Sequence, residues 1–358
     1  MGKVFSADLK DSNGNKLYIQ TPQVHQEDGY CYMYGFNTVK SYPKSGVEHQ
    51  GVRCYISKDL VNWEDLGNII EPDETKYDSV LYPANILNRP HIVYCKKTGK
   101  YVAWVHSDCG ASQFYSVLTA DRFTGPYTIV KEYYRPLDMN GGDFDVAVDE
   151  EGNGYFFFVR LMSCVIAARL SDDFLDVVEP HTTLFAGRKI PYAREGITHF
   201  FKDGRSYLIT SGQTFFFPNQ CEVAVADDPL GPYTILDDPY PNDPSKTSFC
   251  SQPADVIRMD GTDRYIVFAD RWVPKFPKSR WFNRLFIKAY AHGARRITDD
   301  YFQNADPNAR YSNVPHKGRS PIDLRKSQIT ILPVEFKGIQ PVIDWMDSWD
   351  IDMKEKSK

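Results

Sequence analysis

Nowhere does this 358-residue chain hold the run of about 18 apolar residues that a membrane-spanning helix needs. No membrane partner is therefore expected. Basic stripes are missing too: 42 Lys and Arg stand against 47 Asp and Glu, a net charge of −5, which argues against nucleic acid as a partner. The opening segment, MGKVFSADLKDSNGNKLYIQ, lacks the apolar core of a secretory signal. The expected location is the cytoplasm, or the periplasm or exterior if a signal has already been removed. Seven cysteines (Cys31, Cys54, Cys95, Cys109, Cys164, Cys221 and Cys250) form no CxxC and no metal-ligand spacing. Such an odd, scattered set reads as buried thiols in a reducing compartment and speaks against zinc. No Gly-rich phosphate loop, Cys-His nucleophile pair or redox motif occurs, so no cofactor is expected. Helical periodicity is nearly absent, with room for a short helical turn at 296–306.

Aromatic residues, by contrast, are plentiful: 14 % of the chain, with 23 Tyr and 22 Phe. Half-buried strands favour such side chains, and flat rings also stack on sugar faces. A pattern of polar turn plus aromatic strand returns five times, at 27–35, 97–105, 150–159, 202–212 and 259–272. In four of the five an Asp-Gly, Thr-Gly or Glu-Gly pair leads directly into the strand, glycine supplying the positive φ of a tight hairpin. A second half-pattern of strand, polar step and strand follows at 52–67, 114–130, 164–178 and 221–238. TADRFTGPYTIV (119–130) and VADDPLGPYTIL (225–236) are close enough to be a true internal repeat.

Units of about four strands, recurring every 50 to 70 residues or so, have the dimensions of propeller blades. The expectation is an all-β, five-bladed β-propeller forming a single domain over residues 1–358. Its first strands should begin near residues 21, 89, 143, 195 and 252. A two-sheet sandwich is the alternative, but sandwich strands seldom repeat sequence at blade length. Two strand-like runs in 327–345 would complete the last sheet and close the ring, and 300–326 reads as a loop inserted in the last blade.

Propellers turn the innermost strand of each blade towards a central channel. Here each such segment carries polar residues: 20–25, 88–94, 141–149, 194–200 and 251–257. Two carboxylates stand out. Glycosidic cleavage needs a carboxylic acid to protonate the leaving oxygen, and a second carboxylate nearby raises that acid's pKa. Glu195 as acid and Asp143 as its tuner meet both needs. Asp145, on the same strand face as Asp143, is a rival tuner or base. His25, His91 and His199 could line the funnel or serve as structural groups. Trp272 and Phe215 to Phe217 read either as a sugar-stacking platform or as blade packing.

REGITHFFKDGRSYLITSG (194–212) resembles the general-acid segment of glycoside hydrolase family 43, and GGDFDVAVDEEGNGYFFF (141–158) resembles that family's aspartate segment. The likeness runs along nearly the whole chain. It is nearest the branch containing exo-β-1,3-galactanases, through Arg89-Pro90, the GPYTIV-like turns, Tyr207 to Gly212, Ser251-Gln252 and Asp270-Arg271-Trp272. The resemblance implies a five-bladed propeller and inverting, exo-acting hydrolysis of an oligosaccharide or polysaccharide, releasing galactose or a related sugar from a β-linked glycan. It implies Gln252 as the residue that activates water. The funnel-facing segments together with this likeness give Asn88, Arg89, Thr21, Gln23, Asp145, Trp272 and Asp270 as the expected substrate contacts, and the resemblance allows a structural calcium ion in the channel.

Two positions depart from the family. Thr21 stands where most members carry the general-base aspartate, and Asn88 stands where the galactanase branch carries a glutamate. These departures support the alternative, a carbohydrate-binding propeller with impaired catalysis. Glu195 and Asp143 support the enzyme.

Overall fold

A computed structural model describes residues 3–294, 299–313 and 322–351. Its strands form five four-stranded antiparallel sheets, each a simple meander in which neighbours in sequence are neighbours in space. Blade one holds β2 (Ile19–Glu27), β3 (Tyr30–Asn37), β4 (Val52–Ser57) and β5 (Glu64–Ile70), after a short β1 (Lys3–Phe5). Blade two holds β6 (Asn88–Cys95), β7 (Lys100–Cys109), β8 (Ser112–Ala120) and β9 (Thr128–Tyr134). Blade three holds β10 (Phe144–Val148), β11 (Gly154–Arg160), β12 (Cys164–Leu170) and β13 (Val177–Leu184). Blade four holds β14 (Arg194–Lys202), β15 (Arg205–Gly212), β16 (Glu222–Ala226) and β17 (Thr234–Ile235). Blade five holds β18 (Gln252–Arg258), β19 (Tyr265–Arg271), β20 (Gln328–Lys337) and β21 (Gln340–Val342), and β22 (Ser348–Asp350) follows.

The first strands touch one another in a closed ring, β2 to β6 to β10 to β14 to β18 and back to β2. That ring makes the arrangement a five-bladed propeller. The expected hairpins form as read. Gly29, Gly99, Gly152, Gly204 and Gly261, one per blade between first and second strands, all have φ between +67° and +87°, where a Cβ would be strained.

Blade-to-blade packing explains the aromatic content. In β11, Phe156 and Phe158 join the apolar cluster shared with blade two, while Tyr155, Phe157 and Val159 join the one shared with blade four. Strand alternation thus feeds two cores from one strand. Full burial of each phenylalanine contributes roughly 1.5–3 kcal/mol. Equivalent clusters fill the other three junctions. At the seam between blades one and five, β1 pairs with β22, Lys3 against Asp350, and Trp349 donates its indole N–H to Ile331 O at 3.0 Å. β20 and β21 complete the last sheet, as the run at 327–345 predicts.

Two readings need correction. The insertion in blade five spans 272–327, between β19 and β20, not 300–326. It also carries a 15-residue helix, α1 (Arg280–Ala294), where no helix is expected, followed by α2 (Asp299–Gln303) inside the stretch read as a helical turn. The physical signal for α1 is present: Phe282, Phe286 and Tyr290 recur at i, i+4 and i+8. Ser279 lies at its start, with its hydroxyl 3.3 Å from Phe282 N–H.

Candidate active site

Four of the five first strands carry a bulge at the same height. Register slips between Gln20 and Gln23, Asn88 and His91, Glu195 and Thr198, and Pro253 and Asp255. A bulge inserts an unpaired residue and re-aims its neighbours' side chains. Thr21, Arg89 and Gly196 in these bulges have φ of 50°, 47° and 58°. Non-glycine residues hold such a conformation only when their surroundings impose it. In blade three, Asp143 stands just before β10. This end of the channel displays Glu195, Asp143, Gln252, Asn88 and Trp272, each partly open to solvent.

Glu195 has its pKa raised well above the usual carboxylate range, first by desolvation and then by the charge of Asp143. The Thr214 N–H, Arg194 and Arg89 oppose the shift without cancelling it. Glu195 therefore favours the protonated form, that of a proton donor. Asp143 is tied to the same strand, its Oδ2 accepting the Gly196 N–H at 2.9 Å.

Gly196 is where the site is knotted together. A Cβ at this position would lie 2.5 Å from Gln252 Nε2 and 2.8 Å from Ser211 Oγ. Only a glycine lets blade five's Gln252 approach so closely. Gln252 is held at both ends: Nε2 donates to Ser211 Oγ at 2.7 Å, and Oε1 accepts the Trp272 indole N–H at 3.0 Å. These bonds fix which way the amide points. They leave Oε1 one free lone pair, since a carbonyl oxygen can accept twice.

The other expected contacts lie behind this surface. Arg89 is 2 % exposed, and its guanidinium donates to Phe144 O at 3.2 Å and Ile197 O at 2.6 Å, joining blade two to blades three and four. Asp270 is fully buried, both its oxygens accepting the Thr21 N–H at 2.9 and 3.1 Å. Burial pushes its pKa up to about 8. Thr21 is buried too, with its hydroxyl donating to Gln20 O at 2.7 Å. Buried Gln23 donates its side-chain amide to Ala254 O.

Asp145, His91, His199, Gln23 and Asp255 line a separate cavity of about 300 Å³ further down the channel. Asp145 accepts the N–H groups of Val146 and His199, both at 2.6 Å, and lies 3.2 Å from His91 Nδ1. Desolvation, with the charge of Asp255 a smaller contribution, raises its pKa well above the carboxylate range. Among the described residues no three of His, Cys, Asp and Glu assemble into a metal-holding group. His25 lies elsewhere, stacked on Phe123 at 4.3 Å between blades.

Ser211 and Thr214 were not singled out from sequence, although one signal could have found them. Counting outward from the Asp203-Gly204 turn brings Ser211 to the height of Glu195 and Gly196, and the bulge between Glu195 and Thr198 then sets it opposite Glu195. Thr214 lies in the loop that follows β15, the loop that carries Phe215 to Phe217.

The family model for glycosyl hydrolases family 43 matches residues 15–280. No curated protein matches the sequence. Among solved structures, a family 43 β-1,3-galactosidase aligns with a TM-score of 0.76 and 24 % identity over 98 % of this chain, which spans 63 % of that one. A putative exo-β-1,3-galactanase from Bifidobacterium bifidum aligns at 0.73 and 24 %, covering 96 % of this chain and 97 % of its own. The exo-β-1,3-galactanase of Phanerochaete chrysosporium, with galactose, aligns at 0.73 and 20 %, over 98 % and 69 %. At these identities the structural likeness establishes the fold.

Proposed function

Because this chain belongs to glycosyl hydrolases family 43, and is thereby a glycoside hydrolase, we propose that it acts from the end of a β-linked glycan, with inversion, and releases galactose or a related sugar. One observation carries the reading: Glu195, its pKa raised by burial and by Asp143, stands partly open at the mouth of a closed channel. Glu195 protonates the leaving oxygen as the glycosidic bond breaks, and water attacks the anomeric carbon from the opposite face. Gln252, its amide oriented by Ser211 and Trp272, holds that water through the free lone pair of Oε1. An amide is a poor proton acceptor, so the proton of the water passes to solvent in the open funnel. Galactose as the released sugar rests on the likeness to structures described as β-1,3-galactosidase and exo-β-1,3-galactanase.

A second reading, a glycan-binding propeller with impaired hydrolysis, draws on Thr21. The threonine replaces a carboxylate and turns its hydroxyl away to Gln20 O. Incubation with aryl glycosides and galacto- and arabino-oligosaccharides, with product anomers followed by NMR, separates the two. The hydrolase releases an inverted sugar, and Glu195→Gln abolishes this while retaining binding. Binding without any turnover in the wild type would establish the second reading instead.

A further inference from the structure

Three phenylalanines follow Thr214, and the fold treats each differently. Phe216 turns inward against Trp272, ring centroids 5.3 Å apart and nearly perpendicular. Trp272 is the residue whose indole N–H orients Gln252. Phe217 packs on the inserted helix, 4.9 Å from Phe286 and 6.0 Å from Phe276. Phe215 packs on neither, and two-thirds of its surface (67 %) faces solvent.

Nothing about this exposure is loose. Asn219 cinches the loop, accepting the Gly212 N–H at 2.6 Å and donating to Gly212 O and Thr214 Oγ1, both at 2.7 Å. Thr214 Oγ1 in turn donates to Phe217 O. Phe215 itself has a φ of +57°, an outlier for a bulky residue and a kind of strain that gathers at ligand-binding sites. An apolar ring held outward on strained backbone has no role in the propeller's cores. Its surroundings supply one: Phe215 lines the same small recess as Gln252, Ser211 and Trp272, one residue beyond Thr214.

We propose that Phe215 is a sugar-stacking platform at the rim of the funnel, receiving the apolar face of the pyranose on the leaving side of the scissile bond. The inference rests on the hydrolase reading above and adds a residue to it. The placement follows from exposure. A ring at the floor of the channel would be enclosed by the five blades, whereas one at the rim meets the part of the glycan that extends outward. Its flat face matches the axial C–H groups of a β-galactopyranose, and an aromatic contact of this kind is worth about 1.4 kcal/mol, or tenfold in affinity.

The test is calorimetric binding of galactose and of β-1,3-galactotriose to the full chain carrying Glu195→Gln, with and without Phe215→Ala. The expected result is about a tenfold loss of trisaccharide affinity with galactose binding unchanged, and recovery of the trisaccharide affinity in Phe215→Trp. Phe215→Leu, which keeps bulk but not the flat ring, should behave like the alanine variant. Equal weakening of both ligands, or an undiminished trisaccharide affinity, overturns the platform while leaving the hydrolase reading intact. Failure of both this parent and the wild type to bind either galactoside overturns the platform together with galactose as the released sugar.

Discussion

Glu195 and Asp143 show how two identical functional groups acquire different work from their surroundings. Desolvation and the neighbouring negative charge favour the neutral form of Glu195, so activity should fall as pH rises through its elevated pKa. Removing the neighbouring charge with Asp143→Asn lowers that pKa. The basic limb of the kcat profile should therefore move to lower pH, and a limb that stayed in place would show that Asp143 does not tune the acid. Gly196 makes a second prediction at this scale. Gly196→Ala forces a Cβ against Gln252 and Ser211 at a φ of +58°. Displacement of this order costs about 100-fold in rate, so steady-state kinetics should show a kcat loss of that size while the far-ultraviolet circular dichroism of the sheets stays unchanged.

The inserted helix α1 adds a wall that no blade supplies. Its Phe282, Phe286 and Tyr290 form one aromatic face, with consecutive ring centroids 6.4 and 6.2 Å apart. Tyr290 has its hydroxyl pKa raised to about 12 by burial and by the charge on Glu195, which places the far end of this face within electrostatic reach of the acid. Phe286 holds the helix to the Thr214 loop through Phe217. It is half-buried, so Phe286→Ala should cost about 1–2 kcal/mol locally. Limited proteolysis should then cut within 272–294 sooner, with the main unfolding transition unmoved. A matching drop in the global transition would mean that α1 is part of the cooperative core. This helix is also where reading by strand alternation fails: its 3.6-residue period is plain once the segment is taken by itself, but it sits between the two halves of a blade.

For the molecule as a whole, closure and the channel set the energetics. Trp349 and the β1–β22 pair bridge the chain's two ends at the seam, and Trp349→Ala should cost about 3–5 kcal/mol in chemical denaturation. Buried Asp255 and Asp270 have pKa values raised to about 7 and about 8, above their unfolded value near 3.9. The fold thus favours their protonated forms, a contribution fully present below pH ~4 and lost as pH rises through about 7 to 8. The denaturation midpoint should fall between pH 5 and pH 8, and Asp270→Asn should flatten that fall.

Repetition carried the sequence reading furthest. Five turn-plus-strand units, each with its hairpin glycine, could satisfy their buried faces only by packing side by side, so blade number and the starts of the first strands followed from local pattern. Glu195 and Asp143 were legible for the same reason, since both lie where a first strand begins. What stood out of reach was set by contacts between residues far apart in the chain. Thr21 and Asp270 are 249 residues apart, yet the buried carboxylate holds the backbone of the bulge. Arg89 looks like a ligand contact until the carbonyls of Phe144 and Ile197 are seen to enclose it. Which of three consecutive phenylalanines is left open to solvent depends on Trp272 and α1, both from blade five. A chain's periodicity records which face of each element must be buried. Which polar group lies open and which is locked away is decided only when distant blades meet around one axis, because burial and hydrogen-bond partners are properties of that meeting.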